Sequence, residues 1–570
     1  MIILGITNND LAGACLVRDG GIVAAASEER FTRQKDHKAW PSRSIDYVLG
    51  EAGIDLADID RIAYGWNAGF DAGRHLDLYL DRVLEEARER PEGLPHLRKR
   101  IADEMANDKA KRGEFDAFVR ANGLRGKVEY IDHHECHALG AFVCSPFDEA
   151  LTLTCDGRGD FQSLTVTHYR ADGGEAVLQR ETSVDSLGYF YGRITRLLGF
   201  KPNRHEGKIT GLAAFGDAEK LLPLMNDMIR LENGRLRARC GELYLPSYDG
   251  YSDPLLQRCP ADVAAAAQRH SEDLLVAIAR EHVARTGCAN LCLAGGVFGN
   301  VKLNQRLREI PGVRDVYVLP CMGDGGLALA AAVAVAYREN GTRFPAPSMA
   351  LGPDARSAAQ NAELIASQYP QLAYSRPANL IETLVEALRE NQVLGMFKGR
   401  MEFGPRALCN RSIVYHPGDA SANDWLNQRM ERTEFMPFAP VTAVEHAEAC
   451  YVGWREDQVA ADYMTMTYDC HADFRERCPA VVHVDGTARP QIIRPQADPF
   501  MHALLHAWHA RSGQPALINT SFNRHEEPIV CAPQDALGAL EDGMVDLVVL
   551  GESLLVWRKG ENAFARARFE

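Results

Sequence analysis

Two histidines stand four residues apart in the stretch Asp132-His133-His134-Glu135-Cys136-His137. On a helix this spacing puts both imidazoles on one face, one turn apart. Such a pair can bind a divalent metal when oxygen ligands arrive from elsewhere in the chain. Asp156 closes the apolar run Leu151-Thr-Leu-Thr-Cys155 and enters the turn Gly157-Arg-Gly-Asp160; Asp324 sits likewise in Cys321-Met-Gly-Asp-Gly-Gly326. Two imidazoles and two carboxylates make a hard-to-borderline metal site. The same residues read equally well as a solvated histidine cluster beside ordinary turn aspartates.

A second chemistry is anion binding. The apolar strand Leu291-Cys-Leu-Ala294 runs into Gly295-Gly296 and then a helix holding Asn300, Lys302 and Asn304. Paired glycines let a nucleotide approach the backbone, and a helix N-terminus favours its phosphate. A plain strand-to-helix turn has the same composition. Lys208, among glycines in Arg204 to Gly216, is a weaker case of the same kind. Further on, Lys398, Arg400, Arg406 and Arg411 fall within fifteen residues and form a candidate anion cradle. An exposed basic loop is the alternative. Arg432 precedes the rigid segment Thr433 to Pro440, Arg489 adds another cation, and Ala516-Leu-Ile-Asn-Thr-Ser-Phe-Asn523 runs from strand to polar turn.

The elements that must position these groups follow from periodicity. Lys127 to Asp132 is strand-like, so the histidine pair opens a helix at a strand end. Residues 2–7 are a buried strand, and 14–27 a hairpin turning at Asp19-Gly20-Gly21. Glu28 to Arg33 is a polar run after a buried strand, suited to a cleft or a solvated loop. Residues 76–124 read as a helical insertion whose stripe is Leu76, Leu80, Val83, Leu84 and Ala87. Gly341 to Asp354, rich in Pro and Gly, reads as a linker, and a second α/β unit follows. No internal repeat is evident.

Composition narrows the classes. The 570 residues suffice for about two to four domains. An apolar fraction of 46% with 25% charged residues is ordinary for a globular protein. The formal net charge of -15 argues against a nucleic-acid partner, though not against small anions. No apolar run reaches membrane-span length, and the N-terminus lacks the basic region and cleavage site of a signal peptide. Fourteen singly scattered cysteines fit reduced thiols in a cytoplasmic protein.

Four blocks in order resemble the NodU/TobZ family of O-carbamoyltransferases: Ser27-Glu-Glu-Arg-Phe-Thr32, His133-His-Glu-Cys-His-Ala138, Gly399-Arg-Met-Glu-Phe-Gly-Pro-Arg-Ala-Leu408, and Asn519-Thr-Ser-Phe-Asn523 with Glu527-Pro-Ile-Val530. The resemblance implies an α/β chain. Residues 1–345 would form an ASKHA domain, actin- and hexokinase-like, and 346–570 a YrdC-like domain. It further implies that the second domain joins carbamoyl phosphate to ATP, used with Mg2+, giving carbamoyl-adenylate and pyrophosphate. The first would then transfer the carbamoyl group to a hydroxyl of a small acceptor, a sugar or natural product. By the same match His133, His137, Asp156 and Asp324 would hold iron or zinc, with Lys208, Gly295, Gly296 and Asn300 seating the adenylate. Arg400, Arg406, Arg432, Arg489, Asn519, Ser521 and Asn523 would line the activating site. Neither nucleic acid nor membrane is implied as a partner; a homodimer is compatible.

Two departures stand out. The family's proposed acceptor base is a histidine where this chain has Asp10 or, with a one-residue gap, Asn9. Met430 and Met436 replace cations around the Pro-Phe-Ala-Pro motif. They leave room for another carboxylate or acyl phosphate donor, and the missing histidine for an inactive nucleotide-binding homologue.

Overall fold

The short, apolar, β-branched runs of the first 350 residues build two sheets with one strand order. The structure, a computed structural model, describes residues 1–9, 11–66, 74–89, 91–239 and 251–569. It contains two units: residues 1–25 with 38–347, and residues 26–37 with 348–570.

In the first unit, β1 (Ile2–Thr7), β2 (Gly13–Arg18), β3 (Gly21–Ser27), β4 (Arg61–Tyr64) and β5 (Val128–Tyr130) lie in the order β3-β2-β1-β4-β5. β1 is antiparallel to β2 and parallel to β4, which is parallel to β5. Next come β6 (Glu149–Gly159), β7 (Gln162–Arg170), β8 (Glu175–Thr182), the ribbon β9 (Ile229–Glu232) and β10 (Arg235–Ala238), then β11 (Asn290–Ala294) and β12 (Asp315–Val318). Here the order is β12-β11-β6-β7-β8, with antiparallel β6, β7 and β8, and parallel β6, β11 and β12. Counted from its own first strand, each sheet runs third, second, first, fourth, fifth. This doubled sheet is the ASKHA architecture that the resemblance implies. The repeat is one of topology, so it leaves the sequence without an evident repeat.

Two helices pack between these sheets. His133–Cys144 lies on β6 and β11, Leu327–Asn340 lies on β1, β2 and β4, and the two lie on one another. The second is made almost wholly of Ala, Leu and Val, buried from Leu327 to Ala336. Small residues permit the close approach. A Cβ on Gly5 of β1 would overlap the Ala328 carbonyl, and one on Gly140 would overlap Ala330.

The insertion is helical, Arg74–Glu89 and Leu94–Ala121. Its inward face differs from the expected stripe. Tyr79, Val83 and Leu97 pack with Phe161, Val184 and Tyr189, while Leu80 and Leu84 face solvent. The helix is rotated so that Arg82 meets buried Asp185, Nε to Oδ2 at 2.8 Å and Nη2 to Oδ1 at 3.1 Å. A fully buried carboxylate needs such a partner.

The second unit holds β13 (Ala350–Asp354), β14 (Leu372–Ser375), β15 (Leu394–Phe397), β16 (Arg400–Glu402), β17 (Arg411–Tyr415), β18 (Ala439–Ala443), β19 (Tyr468–Asp469), β20 (Thr487–Ala488), β21 (Gln491–Ile493), β22 (Ala516–Ser521), β23 (Leu547–Leu550) and β24 (Leu554–Arg558). Its main sheet has eight strands in the order β14-β24-β23-β15-β17-β22-β18-β21, parallel at β15–β23 and β18–β21 and antiparallel at the other pairings. Helices Leu380–Arg389 and Pro499–Ser512 cover it, burying Leu384, Leu388, Leu504 and Trp508. It is thus a mixed α/β layer, as expected.

The polar run Glu28 to Arg33 belongs to this second unit and is no solvated loop. Glu28, Glu29 and Arg30 are buried. Arg30 donates to the Gly404 carbonyl at 2.8 Å, and Arg33 to the carbonyls of Pro528 (2.8 Å) and Ile529 (2.7 Å). Two of the sequence blocks, far apart in the chain, are therefore one piece of structure. The described cysteines are all unbridged, and among the described residues no helix is long and apolar enough to cross a membrane.

Candidate functional site

Helix His133–Cys144 begins where β5 ends. Its cap is Asp132, whose carboxylate accepts the Glu135 N–H at 3.1 Å. Asp160 accepts the His133 N–H at 2.9 Å. With the first turn so fixed, His133 and His137 project from one face, and both are fully buried. His134 points elsewhere and bonds Thr154 Oγ1 through Nδ1 at 2.7 Å, a structural role. Asp156 arrives from β6, and Asp324 from the turn that opens helix Leu327–Asn340.

The four side chains converge. His133 Nε2 lies 3.5 Å from Asp156 Oδ2 and 3.7 Å from Asp324 Oδ1; His137 Nε2 lies 3.3 and 3.6 Å from the same atoms. All four donor atoms fall within 4.8 Å of one another. Both Nε2 atoms and Asp156 Oδ2 are buried and make no hydrogen bond among the described residues. Orphaned buried polar atoms are costly, and a cation among them would satisfy every one. Burial pushes the His133 imidazole down to about 3, so it is neutral and keeps a lone pair. Burial likewise opposes charging of His137, but Asp156 and Asp324 outweigh it and raise that ring. Burial raises the Asp156 carboxyl, against the opposing pull of His137. Two imidazoles and two carboxylates suit iron or zinc.

The glycines here serve the carboxylate. Gly296 N–H donates to Asp156 Oδ1, and a Cβ on Gly295, at φ 103°, would overlap the Cys155 carbonyl and the Asp156 side chain. Gly159 has the same function for the imidazole, since an added Cβ would overlap the His133 ring. Gly159→Ala is therefore expected to lower bound metal at least about tenfold and to destabilise the fold by about 1–3 kcal/mol. Metal analysis of the purified variant and a denaturant titration check both.

The remaining expected residues of this unit have partners in the fold. Asn300 caps helix Val301–Arg308, accepting the Leu303 N–H at 3.2 Å and donating to Gln268 Oε1 at 2.7 Å. Lys208 is buried with Nζ over the Phe200 ring. Asp10 lies outside the described residues, while neighbouring Asn9 is buried with Nδ2 unpartnered among them. Trp66, which the sequence reading missed, stands edge-on to His133 at 4.5 Å between centroids and under the Arg158 guanidinium. No spacing signal marks it.

In the second unit the expected cradle is corrected in part. Lys398 is ion-paired to Asp498 at 2.6 Å. Arg411 is fully buried and donates to the carbonyls of Lys398 (2.7 Å) and Pro353 (3.0 Å). Arg400 donates to the carbonyls of Leu351 (2.8 Å) and Gly352 (3.1 Å). Arg400 and Arg411 thus tie backbone segments together, and Lys398 ties side chains. Three others form a group. Burial lowers Arg406, and lowers Arg432 to about 10, with Glu434 opposing both. Burial lowers Arg489 strongly, Arg406 adds to it by repulsion, and Glu434 opposes it. The same carboxylate, Glu434, acts electrostatically on all three guanidiniums, and a guanidinium is the side chain suited to a phosphate. Arg432 is oriented by the 519–523 segment, donating to Thr520 Oγ1 (2.8 Å), the Ser521 carbonyl (2.7 Å) and Asn523 Oδ1 (2.9 Å). Asn519 donates to Gln491 Oε1 at 2.6 Å. Met430 is wholly buried, a packing residue.

Two family models match the chain. The carbamoyltransferase N-terminus matches residues 2–333, and the carbamoyltransferase C-terminus matches residues 385–557. The chain belongs to the carbamoyltransferase family. This carbamoyltransferase is 32% identical to nodulation protein NolNO of Sinorhizobium fredii over 95% of its own length and 78% of that protein's. It is 31% identical to nodulation protein U of Rhizobium tropici, covering 96% and 95% of the two chains. An uncharacterized Synechocystis protein, sll1178, is 31% identical over 95% and 94%. The carbamoyltransferase is an enzyme whose metal-type cluster and arginine group fall in separate halves of the matched sequence.

Proposed function

We propose that this enzyme is an ATP-dependent O-carbamoyltransferase with its work divided between the two units. In the second, Arg406, Arg432 and Arg489 bind carbamoyl phosphate and Mg-ATP through their phosphates. Water first cleaves the P–O bond of carbamoyl phosphate and phosphate leaves; an oxygen of the resulting carbamate then bonds to the α-phosphorus of ATP, pyrophosphate leaves, and carbamoyl-adenylate results. In the first, an acceptor hydroxyl attacks the carbamoyl carbon and AMP leaves. His133, His137, Asp156 and Asp324 would hold iron or zinc, which when bound polarises a carbonyl or phosphate oxygen. Gly295 and Gly296, whose own N–H groups are bonded within the fold, would let the adenylate approach the backbone, and the N-terminus of helix Val301–Arg308 would face its phosphate. The acceptor proton goes to a base near the turn after β1, where Asp10 is the carboxylate in sequence. The acceptor is a small hydroxylated molecule, a sugar or natural product, met in the cytoplasm.

The observation that carries this reading is the buried quartet with its unpartnered donor atoms. The donor is tested by pyrophosphate release from ATP, with AMP as the final product. Release should require carbamoyl phosphate; equal release without it would overturn the donor, and ADP in place of AMP would overturn the adenylate.

A further inference from the structure

The second unit carries a group of imidazoles that the proposed chemistry does not use. Helices Val444–Cys450 and Pro499–Ser512 both pack on β18. Met501, Leu504, Leu505 and Trp508 take the inward face of the longer one. Its outward row is therefore His502, His506 and His509, opposite Glu445 and His446 on the first turn of the other. His502 and His506 repeat the i,i+4 spacing that places two rings on one face.

The donor atoms form a small triangle. His502 Nε2 is 3.1 Å from Glu445 Oε2, His506 Nε2 is 3.2 Å from the same oxygen, and the two Nε2 atoms are 3.2 Å apart. Ligands about 2.0–2.1 Å from a tetrahedral zinc ion are separated by roughly 3.3 Å. Hydrogen bonding alone does not satisfy this triangle. If both rings donate Nε2–H to Glu445, two donors oppose each other across 3.2 Å. If one ring donates to the other, only one reaches the carboxylate. A cation at the centre takes a lone pair from each. His446 and His509 lie beside the group, their rings tilted to each other at 4.1 Å between centroids, and the His446 ring lies 5.6 Å from that of His506.

We propose that Glu445, His502 and His506 bind a divalent transition ion of the zinc class, with water or a neighbouring imidazole as fourth ligand. The ion ties the two helices together on the surface of the second unit, apart from His133 and His137. Binding to the folded state alone stabilises it.

The test is equilibrium dialysis of the full chain against Zn2+ alone, wild type beside His502→Gln/His506→Gln. Wild type should retain one more equivalent at micromolar zinc, and zinc should raise its melting temperature more than the variant's. Glu445→Gln, which keeps size and loses charge, should weaken that equivalent by about tenfold or more, and serves alone if the double variant does not fold. Equal stoichiometry in all chains would overturn the site. So would a difference seen only at millimolar zinc, the behaviour of adventitious surface binding.

Discussion

Replacing His133 or His137 with alanine is expected to abolish carbamoyl transfer while pyrophosphate release from ATP and carbamoyl phosphate continues. Each histidine supplies one of four converging donor atoms, and its loss leaves three. Two of the three would be carboxylates, and one of these, Asp324, is partly exposed. A lost Lewis acid costs several kcal/mol of barrier, so transfer should fall by about a thousandfold or more. Pyrophosphate release depends on arginines of the other unit and should stay within about twofold of wild type. The paired measurement is product formation and pyrophosphate in one reaction, with bound metal determined on the same sample. Loss of both activities in a chain that still melts cooperatively would show that the labour is not divided.

Arg406→Ala and Arg489→Ala should do the reverse. Each removes a guanidinium that burial already holds below the usual arginine range. Donors aimed at developing phosphate charge in such surroundings are worth about a hundredfold to a thousandfold each. Adenylate formation should fall by that factor and metal content should not change. Arg432→Ala is a poorer test, because it also strips partners from Thr520, Ser521 and Asn523. Arg489→Lys separates charge from shape: a lysine restores charge but cannot fork onto two phosphate oxygens, so activity should recover only in part. Pyrophosphate release at saturating ATP is the readout. Wild-type rates in both alanine variants would remove the arginine group from the chemistry.

The sequence revealed the histidine pair because an i,i+4 spacing at a strand end has one geometric outcome, and Asp156 and Asp324 because strand-end turns bring side chains to one rim. It failed where the deciding partner is backbone or remote. Lys398, Arg400 and Arg411 looked like phosphate ligands, but their acceptors are Asp498 and main-chain carbonyls, which leave no trace in residue spacing. The insertion was read by its leucines, whereas a buried Arg82–Asp185 pair sets its rotation. Met430, which stands where the family carries a cation, is a core side chain, and burial is not written in residue type. The repeated sheet escaped because topology can recur while residues diverge.

The placing of residues 26–37 bears on how this molecule is made and cut. The polypeptide leaves its opening sheet, supplies Arg30 and Arg33 to three carbonyls of the later-synthesised half, and returns. A ribosome therefore delivers that loop hundreds of residues before its acceptors exist, so the opening half emerges with an unfilled engagement. A fragment beginning at Ser348 would lack two guanidiniums that its carbonyls require. Severing the gene there yields no pair of freestanding modules, and any rearrangement in ancestry had to carry the N-terminal loop along.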